Sequence, residues 1–277
     1  MRFTRALAVV CVAVLMAAVF AGCGSSDSSS SSGSDGKTPA PLKSGGDFLF
    51  CTDVPYAPAE YQEGSKFVGY EIDIATEVGK RLGVKATFQK TGFDGIIAAL
   101  QAKKCDAIIS SMNSTAERKK QVDFVDYMSV GQSLLMAADD AADVTSLAEL
   151  GGKTVGVQVG TTLKDAIDST NKTLSGDKIE VQSFPDAGAA AAAVQTGKVD
   201  AFFTDSPVAA DYVNKHPKDF AFGGEPIDPL PVGIAIRKSD KDLSAAVQKA
   251  VDEMYSDGTM KTLLDTWKAG DFALEGK

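Results

Sequence analysis

The stretch KATFQKTGFDGIIAALQAKKCDAIIS, residues 85–110, decides the architecture of this chain. Lys85 to Gln89 reads as a strand, Phe93 to Lys103 as a helix carrying Ile96, Ile97 and Leu100, and Ala107 to Ser110 as a strand again. Upstream, Phe48 to Thr52 reads as a buried strand. Glu71 to Leu82 puts Ile72, Ala75, Val78 and Leu82 on one helical face, and Gly83 supplies a stop. The result is a βαβαβ unit on a parallel sheet. Downstream a second α/β series begins near Thr145, with strands at Thr154 to Gln158, Ile179 to Ser183 and Val199 to Phe203. An Ala-rich helix from Asp186 to Thr196 lies between the last two and ends at Gly197. Val232 to Ile236 reads as a strand returning to the first series, followed by helices at Lys241 to Tyr255 and Gly258 to Trp267. Crossing segments near Leu134 to Ala138 and Ile227 to Gly233 would join two α/β lobes around a central cleft. Ligands of such sheets sit beyond the carboxyl ends of the strands, so the chemistry is sought there.

Composition narrows the function classes. With 44% hydrophobic and 23% charged residues the chain is globular in character. Its 37 Asp and Glu against 28 Lys and Arg argue against a nucleic-acid partner, since such domains concentrate basic residues on one face. Arg2 and Arg5 precede an apolar run from Ala6 to Phe20 that is short for a membrane span, so residues 1–22 read as an export signal. The run ends at Phe20-Ala21-Gly22-Cys23, which resembles the lipobox of bacterial lipoproteins, with Phe20 where Leu is usual. That resemblance implies diacylglyceride attachment at Cys23, with palmitate, and an extracytoplasmic position on the cell membrane. Residues 24–46 are almost all Ser, Gly, Asp and Pro, a tether with too few apolar groups to fold. A tether directly after Cys23 favours an anchor over an ordinary signal peptide.

Four strand ends carry polar chemistry. Thr52-Asp53-Val54-Pro55-Tyr56-Ala57-Pro58 puts a carboxylate and an aromatic in a Pro-stiffened loop, which suits either a pocket floor or a turn. Ser110-Ser111-Met112-Asn113-Ser114-Thr115-Ala116-Glu117-Arg118 brings hydroxyls and amides up to an Arg, a set able to hold a carboxylate. The plainer reading makes Thr115 an N-cap and Arg118 a solvated charge. In the second lobe, Gly156 to Thr162 forms a strand-to-helix junction with exposed amides, and Phe203-Thr204-Asp205-Ser206-Pro207 places a carboxylate at another strand end.

With these residues in place, the chain from about Asp47 to Phe272 resembles the polar amino-acid-binding proteins of ABC importers, with the two-lobe type II periplasmic-binding fold. The matching segments are 69–75 (GYEIDIA), 93–97 (FDGII), 106–110 (DAIIS), the Thr115 to Arg118 turn, 122–124 (VDF), 160–162 (GTT), 199–201 (VDA) and 257–259 (DGT). The resemblance implies lobe 1 from 47–133 and 231–277, and lobe 2 with flanking hinges from 134–230. It implies that Arg118 forks onto the α-carboxylate of a free L-amino acid, aided by the Met112 amide, Asn113 and Thr162. Asp205 and Ser110 would take the α-ammonium, Tyr56 and Phe93 would sandwich the side chain, and Asp53 and Gln158 would face its far end, with Ser111 and Thr161 nearby. The implied partners are an importer permease and a membrane reached through the lipid; a monomer without catalytic residues, cofactor or metal is expected. Asn113 departs from the usual Thr or Ser, Ala59 stands where an aromatic commonly follows the Pro, and the stretch after Asp126 is one residue short. One acid, one amide and no cation at the far end point to a basic or amide side chain rather than an acidic one.

Other residues have plainer roles. His216, the only histidine, lies in a loop beyond a helix, which disfavours a Ser-His-Asp hydrolase or a His-ligated metal. Cys51 and Cys105 lie beside neighbouring strands in an exported chain, which favours pairing. Counting back from Asp53 and Ser110 leaves them about three residues out of level, roughly 10 Å, which opposes it. Trp267 reads as core packing. An enzyme reading on the same fold, a dehydratase of prephenate-like acids, lacks an evident acid/base pair, and a sensor reading would need a membrane span and signalling domain after lobe 2.

Overall fold

The computed structural model describes residues 46–141 and 144–274, together with Pro39 and Leu42. The expected signal, the acceptor Cys23 and most of the tether lie outside the described residues.

The chain runs β1 (Asp47–Thr52), β2 (Tyr61–Glu63), β3 (Lys66–Val68), α1 (Tyr70–Arg81), β4 (Lys85–Lys90), α2 (Ile96–Gln101), β5 (Ala107–Ile108), α3 (Ala116–Gln121) and β6 (Val122–Ala137). It continues with β7 (Thr154–Gln158), α4 (Leu163–Thr173), β8 (Glu180–Phe184), α5 (Ala187–Gln195), β9 (Ala201–Asp205), α6 (Ser206–Lys215), β10 (Phe220–Arg237), α7 (Lys241–Ser256) and α8 (Thr259–Thr266). Single 3-10 turns at Phe93–Gly95, Leu147–Leu150 and Gly270–Phe272 complete the order.

One eight-stranded sheet, in the order β4-β1-β5-β10-β6-β9-β7-β8, organises both lobes, and β2 and β3 form a separate hairpin. β1 pairs in parallel with β4 and β5, and β7 in parallel with β8 and β9, which are the two crossover series read from the sequence. In β1, Phe48 and Phe50 enter one core while Cys51 enters another, so both faces are covered and the strand is apolar almost throughout. Each of the two rings is fully buried, which contributes on the order of 2 kcal/mol apiece.

The central pair is larger than the sequence suggests. β6 and β10 are antiparallel from Val122↔Arg237 to Ala137↔Phe220, with register shifts between Gly223 and Ile227, between Ile227 and Leu230 and between Val232 and Gly233. Only the Arg237 end of β10 meets β5, and only the Ala137 end of β6 meets β9. Leu134 to Ala138, expected to cross between lobes, therefore lies largely alongside β9, and the change of neighbours falls nearer Ser129 to Gly131. Periodicity detects a strand but not the point where it changes neighbours. A Cβ on Gly131 would stand 3.0 Å from Ser206 Oγ and 3.1 Å from the Ile227 carbonyl oxygen, so the crossing is closely packed there.

Local choices follow familiar physics. Asp186 caps α5 by accepting from the Ala189 amide, and Ala187, Ala190, Ala191 and Val194 form its buried face. Gly69, at φ 134°, precedes α1, and a Cβ there would lie 2.0 Å from the Ala59 carbonyl oxygen, so only glycine allows this approach. The amides of Tyr70 and Glu71 then donate to the carbonyls of Pro58 and Ala59, tying α1 to the loop after β1.

Cys51 and Cys105 form a disulfide with Cα atoms 5.7 Å apart. Cys51 is level with Ile108, not Cys105, as the strand count says. Yet β5 begins only at Ala107, and the turn before it folds back, with the Asp106 amide donating to the Leu49 carbonyl. Extended-strand spacing does not apply to that turn, so the 10 Å objection fails. The bridge closes a sequence separation of 54, so replacing both cysteines by alanine should lower stability by about 2–4 kcal/mol in urea unfolding. A loss under about 1 kcal/mol would show that the bridge does little to restrain the unfolded chain.

Candidate ligand-binding site

A cleft lies between the two series, lined by Asp53, Tyr56, Glu60, Phe93, Ser110, Ser111, Asn113, Gln158, Thr161, Leu163 and Asp205. Nine of the twelve residues assigned to a ligand from the sequence are among them. Met112, Arg118 and Thr162 are not. The Met112 side chain is buried with Ile96 and Leu100, and its carbonyl accepts from the Gly233 amide.

Arg118 is carried by α3, whose N-cap is Thr115, accepting from the Arg118 amide at 3.2 Å. Its guanidinium donates to the carbonyls of Asn113 (3.0 Å) and Gly160 (2.9 Å) and stands 5.4 Å from the Phe93 ring centroid. Burial pulls its pKa down, opposed by Asp205 and Asp165. Thr162 donates to Asn113 Oδ1 at 2.8 Å, and among the described residues the buried Asn113 Nδ2 finds no acceptor. Gly160, at φ 80°, is the close contact across the cleft, where a Cβ would lie 2.8 Å from Asp94 Cα.

Opposite, Gln158 Nε2 donates to Asp53 Oδ2 in a short hydrogen bond. Burial raises Asp53 to about 6, against the lowering effect of that bond. Asp205 ends β9, and burial raises it to about 7, although the Tyr56 hydroxyl and Arg118 pull it down. Tyr56 OH also lies 3.3 Å from Thr204 Oγ1.

Two serines of the lining have their protons engaged inside the protein. The Ser110 hydroxyl accepts from the Asp53 amide (3.0 Å) and donates to Glu60 Oε1 (2.8 Å), which leaves one oxygen lone pair able to accept from an ammonium. Ser111 gives both its amide and its hydroxyl to Glu71, and its φ of 41° is a conformation non-glycine residues rarely adopt. Sequence reasoning missed Glu60, Glu71 and Leu163. Glu71 looks like an ordinary first-turn acid of α1, and Glu60 sits in an irregular loop with no periodic signal. Among the described residues no group of three His, Cys, Asp or Glu could hold a metal ion.

The sequence profile of the bacterial extracellular solute-binding proteins, family 3, matches residues 48–270. The chain belongs to this family. Among relatives of this family 3 protein, the L-cystine-binding protein TcyJ of Escherichia coli (strain K12) is 31% identical over 232 residues, 83% of this chain and 85% of TcyJ. An ancestral arginine-binding protein solved with arginine bound is 36% identical with a TM-score of 0.76, covering 81% of this chain and 99% of that one. An ancestral amino acid-binding protein described as a precursor of cyclohexadienyl dehydratase is also 36% identical, with a TM-score of 0.72, covering 80% of this chain and 94% of that one. The two-lobe fold of the family 3 protein is thus shared with binding proteins.

The raised carboxylates have a stability consequence. Between the ordinary aspartate value of 3.8 and about 7, folded Asp205 keeps a proton that the unfolded chain has lost, so stability falls as pH rises through that window. Asp205→Asn removes the cost of the buried charge and should stabilise the ligand-free protein at pH 7.5 by about 1–3 kcal/mol, with a smaller gain at pH 5. Chemical denaturation at the two pH values checks this; a destabilised variant at pH 7.5 would contradict it.

Proposed function

We propose that this family 3 protein captures a free L-amino acid with a basic or amide side chain and delivers it to the permease of an ABC importer. The observation that carries this reading is that opposite charges from separate elements attract each other at the cleft and its rim: Arg118 on α3, against the ring of the lining residue Phe93, and Asp205 at the end of β9. A guanidinium has five N–H donors, and Arg118 gives one to each of two carbonyls, so donors remain for an α-carboxylate. The unpartnered Asn113 Nδ2 is a second donor. Asp205 suits the α-ammonium, and Tyr56 and Phe93 offer flat apolar walls to the side chain. At the far end Asp53 and Gln158 meet an acidic side chain badly, because a second carboxylate beside buried Asp53 would have no counter-charge.

In this reading residues 47–133 and 231–277 form one lobe and 134–230 the other. Closure around the amino acid is a population shift, since only the closed arrangement satisfies both ligand charges. Once the signal is cut before Cys23, a lipid on that residue and the Ser/Gly-rich tether would hold the binding lobes near the importer; Cys23→Ser should release the protein from the membrane fraction of cells, and unchanged retention would remove the anchor from the scheme.

Titration calorimetry with the common amino acids tests the ligand. Arginine, lysine or glutamine should bind ahead of glutamate, and glutamate binding tightest would refute the distal-pocket argument. Arg118→Ala should abolish binding, a loss of about 3 kcal/mol or more from leaving the carboxylate without its partner. Near-native affinity in that variant would remove Arg118 from the site.

A further inference from the structure

Four carboxylates gather at and beneath the cleft floor. Asp53, Glu60, Glu71 and Asp205 are each at most 6% exposed, and among the described residues none forms an ion pair with a Lys, Arg or His. Their donors are shared unequally. Glu71 receives the Ser111 amide, the Ser111 hydroxyl and the Tyr127 hydroxyl. Among the described residues Glu60 receives only the Ser110 hydroxyl; its Oε2, in a residue that lines the cleft, accepts from no other N–H or O–H, and its carboxyl stands within side-chain hydrogen-bonding reach of Glu71.

Two fully buried carboxylates within hydrogen-bonding reach of each other cannot both stay charged, so the pair holds a proton. Glu60 has one donor where Glu71 has three, so Glu60 is the carboxyl that keeps a proton. Burial and then the neighbouring Glu71 hold Glu60 well above the usual carboxylate range, and Asp53 adds to this. The groups facing the pair are Asp53 after β1, Tyr70 on α1, the Ser110 hydroxyl after β5, Tyr127 on β6 and Asp205 at the end of β9, which itself feels Glu71. Lys90 acts on Asp53 and Arg118 on Asp205, both from outside the pair.

We propose that Glu60 is a further specificity-determining residue of this cleft, exchanging its proton for the cationic end of a basic side chain held between Glu60 and Asp53. This rests on the amino-acid reading above and deepens it, because it selects basic side chains over amides. In the exchange the O–H bond of Glu60 breaks, the proton leaves to water, and a ligand N–H donates to the freed carboxylate. No covalent bond to the ligand forms. An amide side chain brings no charge, so it leaves the proton in place. The α-ammonium also draws a proton from Asp205, but it does so for every amino acid, so only the excess released by a basic ligand reports on the far end of the pocket.

The test is titration calorimetry at neutral pH in two buffers of different ionisation enthalpy, with arginine and glutamine, on the wild type, Glu60→Gln and Asp53→Asn. The wild type should release more protons with arginine than with glutamine. Glu60→Gln, which keeps the acceptor for Ser110, should remove most of that excess and lower the arginine-to-glutamine affinity ratio by about tenfold or more. Asp53→Asn should retain part of the excess. Equal proton release for the two ligands in the wild type, or an undiminished excess in Glu60→Gln, would overturn the assignment. Should Glu60→Gln show no cooperative melting, Asp53→Asn decides alone: a residual excess supports Glu60 as the source and none overturns it. If the wild type bound no amino acid at all, the underlying reading of the cleft would fail instead, which is a different result from binding without an excess.

Discussion

The pairing of β6 with β10 is the interaction on which everything else depends. Each strand is long enough to serve both lobes, with β5 added at one end and β9 at the other. Antiparallel ladders bend where an extra residue breaks the register, and β10 breaks register in its middle, beside the point where the neighbours change. The same two strands that fix the lobes in one sheet therefore supply the irregular stretch about which the lobes could move. The cleft opens beside this stretch because Asp205 pairs with Gln132 where β9 joins the ladder, and Asn113 is bridged to Val232 on the other side.

The cleft itself is built against stability. A folded chain ordinarily leaves its carboxylates in water or pairs them, and here four are buried without a cationic side chain bonded to them. The protein tolerates this by sharing donors: Ser111 and Tyr127 to Glu71, Ser110 to Glu60, Gln158 to Asp53 and Tyr56 to Asp205. Neutralisation by a proton is the alternative to neutralisation by a ligand, and the raised values at Asp53 and Asp205 express that competition. Even the unusual backbone of Ser111 fits the pattern, since it is what lets one residue offer both its amide and its hydroxyl to Glu71.

Several features were open to reading in one dimension because their physics is local. Helix and strand periodicity located β1, α1, β4, β7, α5 and α8 to within about two residues, and Gly197 marked the end of α5. Strand-end reasoning brought Asp53, Ser110, Gln158 and Asp205 to a common cleft. The hairpin of β2 and β3 escaped notice, being two three-residue strands with no room for a pattern. So did the full length of β6, because its burial follows its neighbours rather than a simple alternation.

The order of residues by itself determined the α/β class, the family and most of the lining of the cleft, since each depends on spacing along the chain or on short motifs. Only the folded chain decided the bridge between Cys51 and Cys105, the posture of Arg118 and the meeting of Glu60 with Glu71. That last contact needs Gly69 to pass under Ala59 and Tyr127 to arrive from a strand 56 positions beyond Glu71. Charge and burial are properties of what surrounds a side chain, and those surroundings come from segments that no local pattern connects.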